Sequence, residues 1–160
     1  MSIVPDIKLR QINVTESDMV IDLFNKYRVF YKQPSDINRA KAFIHERLSN
    51  NESIIIIAVA HVDSESISIG FTQLYPKYSS ARTVRNWILN DLYVDEQYRK
   101  QGVGKMLINY AMNFAKNNGS EFVQLETEYN NYTAQSLYEA IGFQKQQPSD
   151  DFLLYKIAVN

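Results

Sequence analysis

The sequence predicts an α/β (α+β) fold built as a single domain over residues 1–160. Three observations predict it. Segments of strand and helix periodicity alternate along the chain, without an internal repeat or a low-complexity tract. The longest apolar run, Ile54 to Ala60, has seven residues. It is far short of the roughly 20 that a membrane-spanning helix needs, and it reads as a buried strand. Finally, a strand ending at Val94 runs through a short basic turn with two glycines, Arg99-Lys-Gln-Gly102-Val-Gly104, into an amphipathic helix.

The elements follow in order. Residues 7–12 alternate apolar and polar and open as a strand. Thr15-Glu-Ser-Asp18 resembles a capping box with Asp in its third position, and starts a helix to about Tyr31. Pro34 breaks that helix. Ser35 or Asp36 caps a second one to about Leu48, which Asn50-Asn51 ends. Residues 53–61 and 67–74 form an antiparallel pair around a polar turn, and 76–82 form a loop. A long strand spans 84–94, and a helix spans 103–118 with Gly119 as its C-cap. Residues 122–128 are a strand. Thr133 caps a short helix that Gly142 ends, and 143–146 with 152–158 close the chain as a hairpin-like pair.

Composition narrows the function. Lys and Arg total 17 against 18 Asp and Glu, a net charge of −1, which argues against nucleic acid or an acidic membrane surface as the partner. With no cysteine there is no disulfide, thiolate metal site or cysteine nucleophile, which fits the cytoplasm. The opening Met-Ser-Ile-Val-Pro-Asp has neither a basic region nor a long apolar one, so no signal peptide is expected. His45 and His61, the only histidines, fall on different elements with no metal spacing, so no metal site is expected.

The turn at 99–104 has the makings of an anion site. The first N–H groups of a helix lack intrahelical partners, glycine lets backbone approach a phosphate, and Arg99 and Lys100 add positive charge. No G-x-G-x-x-G and no G-K-S/T is present, so it is neither a dinucleotide fingerprint nor a Walker loop. Arg99-x-x-Gly102-x-Gly104 resembles the acyl-CoA pyrophosphate loop of the GNAT superfamily of N-acetyltransferases. Downstream, Asn131-x-x-Ala134-x-x-Leu137-Tyr138 followed by Gly142-Phe143 resembles the second signature of that superfamily. The two stand in the right order, about 30 residues apart, and the element order βααβββαβαββ matches the same fold.

That resemblance implies a central mixed, mostly antiparallel sheet, splayed between its fourth and fifth strands, with helices on both faces. It implies acetyl-CoA as co-substrate, held by Leu92, Tyr93, Val94, by Arg99, Lys100, Gln101, Gly102, Val103, Gly104 and Lys105, and by Asn131 and Ala134. Backbone near Leu92 and Val94 would pair with the pantetheine arm and polarise the thioester carbonyl. The side chains of Leu92 and Val94 also read as core, Lys105 also as solvated helix face, and Asn131 also as a helix cap.

Tyr138 is the candidate general acid, because a phenol of pKa near 10 can protonate a departing thiolate whose thiol has a pKa near 8.5. The base is one of Glu126, Asp91 and Glu128. Glu126 is preferred, as a carboxylate between apolar positions of an expected strand, and Asp91 comes next. Asn90-Asp91-Leu92-Tyr93-Val94 also looks like the matching strand of diamine acetyltransferases. Those carry a Glu where this chain has Asn90, so the base role does not transfer directly. Acceptor candidates are Tyr27, Tyr31, Tyr75, Trp87 and Glu128, with Phe30 and Tyr78 nearby in sequence. Aromatic rings suit an amine through cation–π contact, although each also reads as core.

The expected function is transfer of an acetyl group from acetyl-CoA to a primary amine of a small molecule, such as a polyamine or amino acid. A protein lysine or N-terminal acetyltransferase and a non-catalytic acyl-CoA sensor are the alternatives. Acetyl against a longer acyl group stays open. Homodimers are common in the superfamily, and no residue here marks an interface.

Overall fold

The computed structural model describes residues 5–147 and 152–159. The chain divides into two compact units, Met1–Glu126 and Thr127–Asn160. Part of the stretch expected to lack a signal peptide, residues 1–4, lies outside the described residues.

The first unit is a five-stranded sheet in the order β1-β2-β3-β4-β5. Its strands are β1 (Asp6–Gln11), β2 (Ile54–Val62), β3 (Glu65–Ser79), β4 (Val84–Val94) and β5 (Val123–Gln124). The first four pair antiparallel in sequence order, and β5 joins β4 in parallel. Helices α1 (Ile21–Phe30) and α2 (Ile37–Ser49) cover one face. There Val20, Ile21, Leu23, Phe24, Ala40 and Ile44 pack on Ile55, Ile57 and Phe71 in one buried cluster. Helix α3 (Val103–Asn117) covers the other face with Val103, Leu107, Ile108, Ala111 and Ala115, a stripe at helical spacing. Removing such a side chain from water is worth about 1.5–3 kcal/mol, so both helix layers are held chiefly by burial.

Local signals fix the ends, with corrections to the expected caps. The first helical turn is a 3₁₀ segment, Val14–Met19, and Asn13 caps it in place of Thr15. The Asn13 side chain accepts from Thr15 N at 2.9 Å, and Glu16 accepts from Asn13 N at 3.3 Å. Asp36 caps α2 by accepting from Arg39 N at 3.0 Å. Gly119, at φ +74°, follows the end of α3.

The loop expected at 76–82 is instead strand as far as Ser79. Pairing between β2 and β3 ends at Ile54–Leu74, so beyond Leu74 only β4 flanks β3. Pro76 therefore lies on a free edge, where its missing N–H removes no ladder bond.

The second unit holds α4 (Tyr132–Ile141). Asn131, and not Thr133, caps it, its side chain accepting from Ala134 N at 3.2 Å. Gly142 leaves it at φ +120°. The expected strand at 122–128 shortens to Val123–Gln124. The expected closing pair at 143–146 and 152–158 carries no strand among the described residues, and the turn between them, 148–151, lies outside those residues. Apolar alternation alone does not form a strand, because each needs a partner edge to take its N–H and C=O groups.

Candidate active site

The geometry of the site follows from one irregularity in β4. Gln73 pairs with Asp91, but the next residue, Leu74, pairs with Leu89. Asn90 is left without a partner, a β-bulge that reverses the alternation of everything after it. Upstream, Trp87 N donates towards β5, to Phe122 O at 3.5 Å. Downstream, Asp95 N donates to Ile69 O of β3 at 2.8 Å. In an unbroken strand both odd-numbered amides would face one edge. The bulge therefore turns the N–H groups of Leu92 and Val94 away from β3, to the edge that faces β5. Pairing with β5 covers only Trp87–Val123 and Ile88–Gln124, so this edge is open beyond Ile88. The expected splay between the fourth and fifth strands is this opening.

The same reversal sends Asp91 to the α1/α2 face, in line with Gln73 and next to the Phe71–Tyr93 pair. Asp91 is 3% exposed. Its carboxylate accepts from Gln73 Nε2 at 2.5 Å and from Asn90 Nδ2 at 2.7 Å, and it also has a hydrogen bond from the Tyr27 hydroxyl. Burial pushes its pKa above the ordinary carboxylate range, against the downward pull of those three bonds. Burial, with the Asp91 charge second, raises the hydroxyl pKa values of Tyr27 and Tyr75, so both stay protonated at neutral pH. Thr72 Oγ1 donates to the Asp91 carbonyl oxygen at 2.8 Å and ties down the backbone beside the bulge.

The structure sets the three candidate carboxylates in different surroundings. Glu126 and Glu128 are exposed and lie beyond the end of β5, not on a strand. The buried carboxylate of the first unit is Asp91. Among the aromatics, Tyr27 and Tyr75 gather at Asp91, and Tyr31 packs against Tyr27 with ring centroids 4.9 Å apart. Trp87 does not join them. It precedes the bulge and points to the α3 face, where its ring meets Phe114 at 5.3 Å.

The anion turn follows β4 directly. Gly102 stands at φ +83° as the N-cap of α3, with no side-chain cap. The first intrahelical bond is Met106 N to Gly102 O at 3.0 Å, so the amides of Val103, Gly104 and Lys105 precede the helical ladder. Lys100 is also in the left-handed region, at φ +61°. Lys100, Gln101, Gly102 and Lys105 are exposed, whereas Val103 is buried and contributes packing and backbone. Arg99 folds back: its Nε donates to Val94 O at 2.9 Å, and its guanidinium stands 5.3 Å from the Tyr93 ring and 5.9 Å from Phe30. Lys26 of α1 pairs with Asp95 at 2.8 Å and ties α1 to the start of the turn.

Within the second unit, the Asn131 side chain is engaged as the cap of α4, with Ala134 as its donor. Tyr138 is half-buried, with its ring edge-on to Phe143 at 6.0 Å. Sequence reasoning missed Gln73 as a member of the site. The signal was available: a glutamine inside the apolar run Ile69-Gly-Phe-Thr-Gln-Leu74 needs a polar partner. Among the described residues no cluster of three or more His, Cys, Asp or Glu is set to hold a metal, and no helix is long and apolar enough to cross a membrane.

Comparison with known proteins bears on this geometry. The model of the acetyltransferase (GNAT) family matches residues 18–143. The uncharacterized N-acetyltransferase YhfO of Bacillus subtilis is 42% identical over 137 residues, which is 86% of this chain and 89% of that protein. A solved structure, a probable acetyltransferase, superposes with a TM-score of 0.84 at 35% identity, covering 96% of this chain and 98% of that one. The aminoglycoside N-acetyltransferase AAC(6')-Iy, solved in complex with CoA, superposes at 0.75 with 21% identity over 98% of both chains, a likeness of fold.

Proposed function

Since this chain belongs to the GNAT family of acetyltransferases, we propose that it moves an acetyl group from acetyl-CoA to the primary amine of a small molecule by direct attack in a ternary complex. The observation that carries this reading is Asp91, a buried carboxylate ringed by tyrosines beside an open strand edge.

Each requirement of the reaction has a candidate group. The pyrophosphate would sit on the amides at the start of α3, where the helix N-terminus and Lys100 favour negative charge. The pantetheine arm would lie along the open edge of β4. There the N–H of Leu92 or Val94 would bond the thioester oxygen as negative charge develops on it. The acceptor arrives as an ammonium, which a buried carboxylate and two tyrosine rings attract. Asp91 takes its proton, and its raised pKa brings it nearer that of the amine. The freed nitrogen lone pair forms the C–N bond. The C–S bond then breaks with its electrons on sulfur. The resemblance gives Tyr138 the role of protonating that thiolate, and the second proton that the amide nitrogen sheds passes through water to restore the phenol. A cysteine-free chain using acetyl-CoA fits the cytoplasm.

The test is thiol release from acetyl-CoA against polyamines, free amino acids, aminoglycosides and lysine peptides. Turnover of one small-amine class well above background is expected. Turnover of peptides alone would transfer the assignment to a protein acetyltransferase. Acetyl-CoA binding with silence across the panel would transfer it to a sensor.

A further inference from the structure

Gln73 is fully buried, yet only half of its amide is used. Its Nε2 donates to Asp91 Oδ2 at 2.5 Å. Its Oε1 is buried and has no hydrogen-bond partner among the described residues. Chemistry fixes this orientation. An ionised carboxylate only accepts, so the amide must turn its nitrogen to Asp91 and its oxygen away. A buried carbonyl oxygen left unpaired is costly, and leucine or methionine would fill the same volume without that cost. A residue serving only to hold Asp91 would be expected to have both ends satisfied.

The surroundings say which partner the oxygen suits. Gln73 lies between Ile55 on β2 and Asp91 on β4, on the face where Tyr27 and Tyr75 approach Asp91. Tyr27 and Tyr75 keep their protons, and Asn90 already donates to the other carboxylate oxygen. A hydroxyl can donate once. An alkyl ammonium can donate to Asp91 and to a second oxygen beside it.

We propose that Gln73 Oε1 is the second acceptor in a two-point grip on the substrate's amino group, with Asp91 the first, so that Gln73 determines selectivity for an amine bearing at least two N–H donors. This rests on the reading of Asp91 as the acceptor-binding carboxylate. It adds a residue that binds through its own oxygen as well as positioning Asp91 through its nitrogen. After proton transfer to Asp91, the bond to Gln73 keeps the amine in place while its lone pair attacks.

The experiment compares a turned-over primary amine with its N,N-dimethyl counterpart, which keeps one N–H as an ammonium and cannot be acetylated. In the wild type the dimethyl analogue should inhibit with a constant at least about tenfold weaker than the affinity of the primary amine, the scale of losing one hydrogen bond in a site built for two. In Gln73→Leu the KM for the primary amine should rise about tenfold, the acetyl-CoA KM should stay within about twofold, and the preference over the dimethyl analogue should vanish. A purely structural glutamine would move both KM values together and leave the preference intact, which would overturn the proposal. Equal binding of the two amines by the wild type would overturn it without any variant, so a Gln73→Leu chain that does not fold leaves the test standing. Turnover of a primary amine with no such preference removes the role of Gln73 alone, whereas no turnover of any amine removes both readings.

Discussion

Leu89 and Asp91 stand two residues apart in β4 and face opposite sides of the sheet. Leu89 pairs with Leu74 and Asp91 with Gln73, because Asn90 between them has no partner. That extra residue sends the carboxylate to the α1/α2 face and turns the Leu92 and Val94 amides to the open edge. The candidate base and the candidate oxyanion donor thus owe their placement to one bulge.

Asp91→Asn should lower kcat/KM by about a hundredfold or more, the usual scale for removing a general base. The wild-type acid limb should lie above the ordinary carboxylate range, because burial raises the Asp91 pKa. The sign for stability is the reverse of a salt-bridged carboxylate. A folded-state pKa above the unfolded value means that the folded chain binds the proton more tightly. The contribution of Asp91 is then most favourable below the unfolded pKa and declines as pH rises through the folded one. The Tm of the wild type relative to Asp91→Asn should therefore fall as pH rises above the ordinary carboxylate range. A pH-independent difference would show that burial does not perturb this group.

Tyr138→Phe should cost about tenfold or more in kcat while acetyl-CoA binding by calorimetry stays near normal. Unchanged turnover would remove the phenol from the proton path.

Gly102→Ala separates backbone conformation from space. A Cβ there meets nothing within 4 Å, but φ is +83°, where an L side chain costs about 1–2 kcal/mol. The acetyl-CoA KM should rise several-fold with kcat little changed, since the amides around Gly102 are assigned to the pyrophosphate. A normal KM in a folded variant would argue against that assignment.

Gly70→Ala tests the packing of α3 on the sheet. The new Cβ would lie 3.1 Å from the Tyr93 carbonyl oxygen, 3.3 Å from Leu107 and 3.4 Å from Val103. Side chains can give a little, but the backbone oxygen belongs to β4. Overpacking of this kind costs about 1–3 kcal/mol, read as a lower urea midpoint at constant m. An unshifted midpoint would mean that β4 yields freely at Tyr93.

Much of the fold is legible in the residues. The β4 span, both ends of α2 and the Gly102–α3 start follow from apolar periodicity, an Asp cap and a glycine turn, all local signals. The strand through Pro76 is not legible, because the tolerance of proline depends on β2 stopping at Ile54. Nor is the burial of the carboxylates: Glu126 and Asp91 look alike in a one-dimensional pattern, and only folding buries one of them and exposes the other.

The sequence by itself determined the alternation of strands and helices, the anion turn from Arg99 to Gly104 and the resemblance to a family of acetyltransferases, because caps, turns and amphipathic stripes are written in neighbouring residues. Only the tertiary structure decided which side of the sheet Asp91 occupies, that Gln73 stands against it with an oxygen to spare, and that Trp87 belongs to the opposite core. Those depend on cross-strand register. A single unpaired residue at Asn90 reverses the facing of all that follows it in β4, and no count along the chain records whether the partner strand carries a matching residue.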